Sequence, residues 1–233
     1  MSPLLKFYYN NAPNPAKVAL FLEESGLEYK VVPIDTRKGD QHKPEYRAIN
    51  PNGKVPALRD GDIRVFDSSA ILLYLGQKTG QFYVPPAEPG HAEMLSWLLF
   101  VASGVGPFSG QASHFIRDAP EPKAYPLNRY TFEAERHWVI VEAQLAKGRY
   151  MVGDTYSIVD MSIWGWGRFI QFLLGPDAWN DRFPNLKRLV EEIDARPAAA
   201  RARALAKTFK FKEEMDEDAR RQLFPQNERL APT

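Results

Sequence analysis

Two short stretches of this chain combine residue types that could hold a peptide-like ligand, and a third carries a helix-start signal. Val55-Pro56 stands at the start of a predicted hairpin strand, where proline has no N–H to give to a ladder. A cis peptide bond would explain it there, and so would an ordinary trans proline at a strand start. The extended residue before such a proline leaves its own N–H and C=O free to pair with a ligand, as an added strand does at a sheet edge. Asp67-Ser68-Ser69 precedes a predicted helix from Ala70, and a helix start offers amides and the positive end of a dipole to a carboxylate. The same residues serve equally well as a plain cap. The third stretch is the loop Asn10 to Pro15, in which Asn14 before Pro15 signals a helix start, with Tyr8 and Tyr9 just upstream at the end of a strand.

These residues need elements to position them. Leu4 to Tyr9 reads as a strand, Ala16 to Glu24 as a helix closed by Gly26, and Tyr29 to Ile34 as a second strand. That order implies a parallel pair with a right-handed crossover. After a polar segment come a hairpin, Val55 to Arg59 and Ile63 to Phe66 about a turn at Asp60-Gly61-Asp62, and a helix over Ala70 to Lys78. The sum is an α/β thioredoxin-like order, βαβαββα, over residues 1–82. Residues 83–90 fall in a stretch rich in proline and read as a linker. Beyond it, helical spacing dominates at His91 to Ser103, Tyr125 to Ala146, Ser157 to Leu174 and Asn185 to Arg196, an all-α second domain over 91–207. Ser157 and Asp160 have capping-box spacing. The tail, 208–233, is mostly polar and is expected to be partly ordered at best.

Composition narrows the chemistry. The chain has 233 residues, 44% of them hydrophobic, with 30 basic against 29 acidic side chains, so it can bury a core but has no global field to draw nucleic acid or an anionic membrane. No uninterrupted apolar run approaches a bilayer span, and a cytoplasmic address is expected. With no cysteine, the chain has no disulfide, thiolate metal site, cysteine nucleophile or CxxC pair, and no metal is expected. Any sulfur chemistry must use a ligand's sulfur. Gln111, His114 and Arg117 recur at i, i+3, i+6 and read either as a second ligand site or as a solvated face. Arg129, Glu133 and Arg136 could pair along a helix or across a dimer.

The run NPNGKVPALRDGDIRVFDSSAILLYL, residues 50 to 75, resembles the glutathione-binding core of glutathione transferases, in which an x-Val-Pro-x-Leu turn is followed by an acidic-Ser pair opening a helix. NAPNPAKVALFLEESGLEY, RKGDQHKPEYRAINPN, ASGVGPFSGQASHF and SIVDMSIWGW extend the likeness to the bacterial nu class and to the globular part of the fungal nitrogen-regulatory prion protein, over residues 4 to 206. The resemblance implies that Val55, before the cis Pro56, pairs its backbone with the cysteinyl part of glutathione. It also implies that Lys54 and Gln41 approach the glycyl carboxylate, and that Asp67 and Ser68 hold the γ-glutamyl end. A lysine, a helix start and one acid complement the two carboxylates and one ammonium of glutathione.

The thiol of glutathione, with a pKa of about 8.5 when free, then needs a group that stabilises its thiolate. Asn14 is the first candidate, donating through its side-chain amide. A threonine that shares this task in nu-class relatives is Ala12 here, which leaves Asn11, Asn10 or a loop amide as substitutes, and Tyr8 or Tyr9 as a phenolic alternative. Gln111, His114, Arg117 and Arg136 become candidates for a second-ligand side. The expected partners are glutathione and a small electrophile or disulfide, in a homodimer. The expected activity is glutathione-dependent disulfide reduction, with conjugation to electrophiles or a non-catalytic glutathione-binding regulatory module as the alternatives.

Overall fold

The computed structural model describes residues 4–120 and 123–230. The remaining residues of the expected N-terminal domain (1–3), helical domain (121–122) and tail (231–233) lie outside the described residues.

The N-terminal half follows the thioredoxin-like order. Its elements are β1 (Leu5–Tyr9), α1 (Pro13–Ser25), β2 (Tyr29–Pro33), the single turn α2 (Pro44–Arg47), β3 (Ala57–Asp60), β4 (Ile63–Phe66) and α3 (Ser68–Thr79). The four strands form one mixed sheet in the order β2-β1-β3-β4, with β1 parallel to β2 and antiparallel to β3. Alternation places Phe7 and Tyr9 in the main core, while Tyr8 packs on the other face with Tyr46 and Val55. The Val55-Pro56 bond is cis.

Two helices begin earlier than the sequence suggests. α1 starts at Pro13, so Asn14 is not its cap; Ala12 occupies the N-cap position and its N–H is taken by the side chain of Asn10 at 3.0 Å. Both Pro13 and Pro15 fall in the first turn, where the missing N–H costs nothing. α3 starts at Ser68, and Asp67 is its cap, accepting from the amides of Ser69 and Ala70 at 2.8 and 3.2 Å.

The second half is helical: α4 (His91–Phe100), α5 (Gly106–Ser113), α6 (Ala124–Leu145), α7 (Ile158–Gly167), α8 (Ile170–Leu174), α9 (Pro184–Asp194) and α10 (Pro197–Thr208). A π-helical turn at 101–105 joins α4 to α5 and another at 114–118 extends α5, giving one run, His91–Asp118, well past the expected end at Ser103. By length and average hydropathy this run could cross a bilayer, a property that a search for uninterrupted apolar residues misses. Here Met94, Leu98, Val101, Val105 and Ala112 are buried against other helices of this half. The expected helix 157–174 breaks at Arg168-Phe169 into α7 and α8, and α10, rich in alanine and without a broad apolar stripe, is an addition to the expected set.

The tail, expected to be partly ordered at best, follows a defined path over its described residues. Residues 209–216 run as an extended strap into α11 (Glu217–Leu223), capped by Asp216 through the amide of Ala219, and a 3-10 turn over Pro225–Leu230 follows. The strap lies along the N-terminal half. Lys212 N–H donates to Asp35 at 2.8 Å, and Arg37 donates to the carbonyls of Lys212 and Glu213 at 2.9 and 3.1 Å. The Gln222 carbonyl accepts from Gln41 and from His42 at 3.0 and 2.8 Å.

α7 is the central helix of the second half, and all ten of its residues are buried. Its capping box is complete: Ser157 accepts from Val159, while Asp160 accepts from the Ser157 amide, the Ser157 hydroxyl and the Met151 amide at 2.8, 3.1 and 2.8 Å. Burial pushes the Asp160 carboxyl up to about 7, against these three donors. Asp160→Ala would strand all three in the core. The expected loss is about 3 kcal/mol or more, each buried donor costing about 1–3 kcal/mol, read from the midpoint of urea unfolding.

Candidate functional site

The first turns of α1 pack closely on α7 of the helical half. A side chain at Gly165 would meet the Lys17 stem at 2.5 Å and the Pro13 carbonyl at 2.7 Å, so only glycine lets α7 approach here. One residue on, the indole N–H of Trp166 donates to Oδ1 of Asn14 at 3.0 Å. The Asn14 amide nitrogen has no hydrogen-bond partner among the described residues, and the side chain is half-buried.

Two further groups expected to face a ligand are unpaired in the same way. The N–H and C=O of Val55 make no hydrogen bond, because β3 begins only at Ala57. Asp67 uses Oδ1 as the α3 cap, and Oδ2 has no hydrogen-bond partner. Asp67 holds φ at 72°, in the left-handed region that non-glycine residues seldom occupy, and such residues concentrate at ligand sites. Ser68 is buried at the first turn of α3, and Lys54 is exposed beside Val55, with its carbonyl held by Tyr46 at 2.6 Å and Asn50 at 2.5 Å. Gln41 is placed differently from a free donor. Its amide nitrogen already donates to the Thr36 and Gln222 carbonyls, both at 3.0 Å, and its buried Oε1 has no partner. Releasing Gln222 would be needed to free it.

A cleft of about 810 Å³ opens beside Pro13, lined by Asn11, Ala12, Arg37 and Arg117 and, from the strap, by Phe209, Phe211, Met215, Leu223 and Phe224. The sequence signal for this wall is the few large apolar residues of a mostly polar tail, Phe209, Phe211, Leu223 and Phe224. Asn11 is exposed and donates to the Ala206 carbonyl at 3.4 Å. Tyr9 lies in the core against Phe7 and Phe211, and burial pushes its phenol up to about 12, so it holds its proton. Of the second-ligand candidates, Arg117 lines the cleft while paired with Asp118 at 2.8 Å, and His114 packs on Phe224 of its wall, burial lowering its pKa. Gln111 is exposed on α5 away from that lining, and Arg136, with Arg129, pairs with Glu133 on α6 at 2.9 and 3.0 Å. Among the described residues no cluster of three or more His, Cys, Asp or Glu could hold a metal ion.

Residues 3–77 match the glutathione S-transferase N-terminal domain and residues 114–201 the glutathione S-transferase C-terminal domain. The disulfide-bond oxidoreductase YfcG of Escherichia coli is 34% identical over 212 residues, covering 85% of this chain and 94% of YfcG. The chain belongs to the glutathione transferase family. Solved members are correspondingly close in structure. The transferase URE2P6 from Phanerochaete chrysosporium, in complex with oxidized glutathione, superposes with a TM-score of 0.83 at 33% identity, over 88% of this chain and 96% of that one. A family member from Pseudomonas fluorescens, with two glutathione bound, gives a TM-score of 0.79 at 32% identity, over 85% and 92%.

One buried cation of this transferase stands out. Lys17, on the Asn14 face of α1, is 2% exposed and has no hydrogen-bond acceptor among the described residues. Burial lowers its pKa from 10.5 to about 8, and the negative charge of Asp67 partly offsets this. Below pH 8 both folded and unfolded chains carry the proton, and the folded chain bears the full cost of a desolvated charge. As pH rises between 8 and 10.5 the folded chain is already neutral while the unfolded one is still charged, so stability recovers. Lys17→Met is therefore expected to stabilise the fold at pH 7 by up to about 3 kcal/mol, an advantage that shrinks by pH 10. Urea midpoints at the two pH values measure it, and a destabilised variant at pH 7 would mean that the ammonium has a favourable partner.

Proposed function

We propose that this chain is a glutathione-dependent disulfide reductase in which ligands supply every sulfur. The observation that carries the reading is a set of unspent groups: the Asn14 amide nitrogen in the first turn of α1, the Val55 backbone just before β3, and Asp67 Oδ2 at the cap of α3. Val55 would pair with the cysteinyl unit as an added strand, and Asp67 would take the γ-glutamyl ammonium. Ser68 and the start of α3 would take the neighbouring carboxylate, and Lys54 the glycyl one. This pairing leaves the glutathione sulfur to Asn14. A charge-assisted hydrogen bond from the amide, with the positive end of the α1 dipole, lowers the thiol pKa. The first thiolate attacks a disulfide, forming a mixed disulfide and expelling one thiolate. A second glutathione attacks that mixed disulfide, releasing oxidized glutathione and the other thiolate, so two electrons pass from two glutathiones to one disulfide.

The name of YfcG and the two ligands of the Pseudomonas protein support the same sequence of events. The apolar wall from Phe209 to Phe224 favours a second reading, conjugation of the same thiolate to an apolar electrophile. The domains are taken as 1–82 and 91–207, joined by 83–90, with 208–233 as the C-terminal tail. The protein acts in the cytoplasm, where glutathione is plentiful. Exposed Ile63 and Phe66 on the edge strand β4, with Leu99, Phe132 and Val139 on α4 and α6, supply apolar area for a second copy in a homodimer.

Asn14→Ala is expected to lower the rate of disulfide reduction at pH 7 by about tenfold or more, as for a lost hydrogen bond to a charged group, while glutathione still binds. The assay pairs reduction of a small disulfide with conjugation of a chlorinated aromatic. Dominant conjugation would move the reading to the second reaction, and no turnover of either would remove the enzyme.

A further inference from the structure

We infer that Trp166 is a positioning residue for glutathione activation, its indole N–H fixing the Asn14 amide so that the nitrogen, not the oxygen, faces the sulfur. This rests on the reading of Asn14 given above. An asparagine amide has two faces of opposite character, and toward a thiolate only one helps: the NH₂ donates, whereas the carbonyl oxygen repels the charge. Amide orientation is usually ambiguous from heavy atoms alone. Here the partner removes the ambiguity, because an indole nitrogen only donates, so the atom 3.0 Å from it must be the oxygen. The NH₂ is then turned away from Trp166, and it has no other protein partner among the described residues.

The indole is itself held. Trp166 is 9% exposed, its ring makes an edge contact with Phe169, and it lies over glycines of α5. A side chain at Gly106 would come within 3.4 Å of the indole nitrogen, and one at Gly110 within 3.6 Å of the ring. The contact also crosses the halves of the molecule, from α7 to α1, over 152 residues of sequence. Asn14 is thus oriented by the helical half, which supplies no direct ligand to the sulfur in this reading.

The test is the thiol pKa of bound glutathione, followed by thiolate absorbance against pH, in wild type, Trp166→Phe, Asn14→Ala and the double variant. Trp166→Phe is expected to raise that pKa by about one unit, a tenfold smaller thiolate fraction well below it, with glutathione affinity changed less than turnover. In the Asn14→Ala background it should add nothing, since the group it orients is gone. A raised pKa in Asn14→Ala with none in Trp166→Phe would overturn the inference and leave the Asn14 reading standing. No rise in either variant would overturn the Asn14 reading itself. A loss in Trp166→Phe that persists undiminished in the double variant would make the tryptophan merely structural. A second measurement does not depend on Trp166→Phe folding: in Asn14→Ala one of the five tryptophan indole N–H resonances should shift and exchange faster with solvent. Unchanged indole resonances would sink the proposal.

Discussion

The site depends on how closely α7 can approach the first turn of α1. Gly165 removes the one atom that would keep the helices apart, and Trp166 then reaches Asn14. Everything upstream serves that approach. Asp160 fixes the start of α7 by gathering three donors, and the Ile158 amide is tied to the Phe82 carbonyl at 2.9 Å just after the sheet-bearing half ends. On the far side, Arg196 and Arg201 pair with Glu24 and Glu23 at the other end of α1. α1 is therefore clamped at both ends by the helical half, and the residues at its N-terminus inherit that rigidity.

The same contact explains why burying Lys17 is tolerated. Its stem fills the space that Gly165 leaves, so packing gained along the methylenes offsets part of the cost of desolvating the ammonium. The charge sits on the same face as Asn14 and in the field of Asp67.

Much of this was legible in the sequence where one residue's chemistry acts locally. The strands of the sheet and the Ser157/Asp160 box follow from alternation and from capping spacing, whereas proline's missing donor leaves the Val55-Pro56 bond open between cis and trans and only the family resemblance implies the cis form. Asn-Pro is a sound cap signal that places the start of α1 too late, and nothing local reveals that Ala12 takes the cap position while Asn14 Oδ1 accepts from a tryptophan of the other half. The partnership of Trp166 and Asn14 leaves no pattern, since it joins positions 152 residues apart and each reads locally as something else: a core aromatic and a cap. α10 hid because alanines carry helix propensity without an apolar stripe.

The strap was illegible for a different reason, and that reason has a consequence. Its fastenings to the sheet-bearing half are largely main-chain atoms: the Lys212 amide and the carbonyls of Lys212, Glu213 and Gln222, met by the side chains of Asp35, Arg37, Gln41 and His42. Backbone groups are the same whatever side chain they carry. The segment can exchange the side chains it turns toward the cleft without losing these moorings, so substitutions between 209 and 224 offer a route by which one scaffold changes its cleft while the residues proposed to handle sulfur stay unaltered.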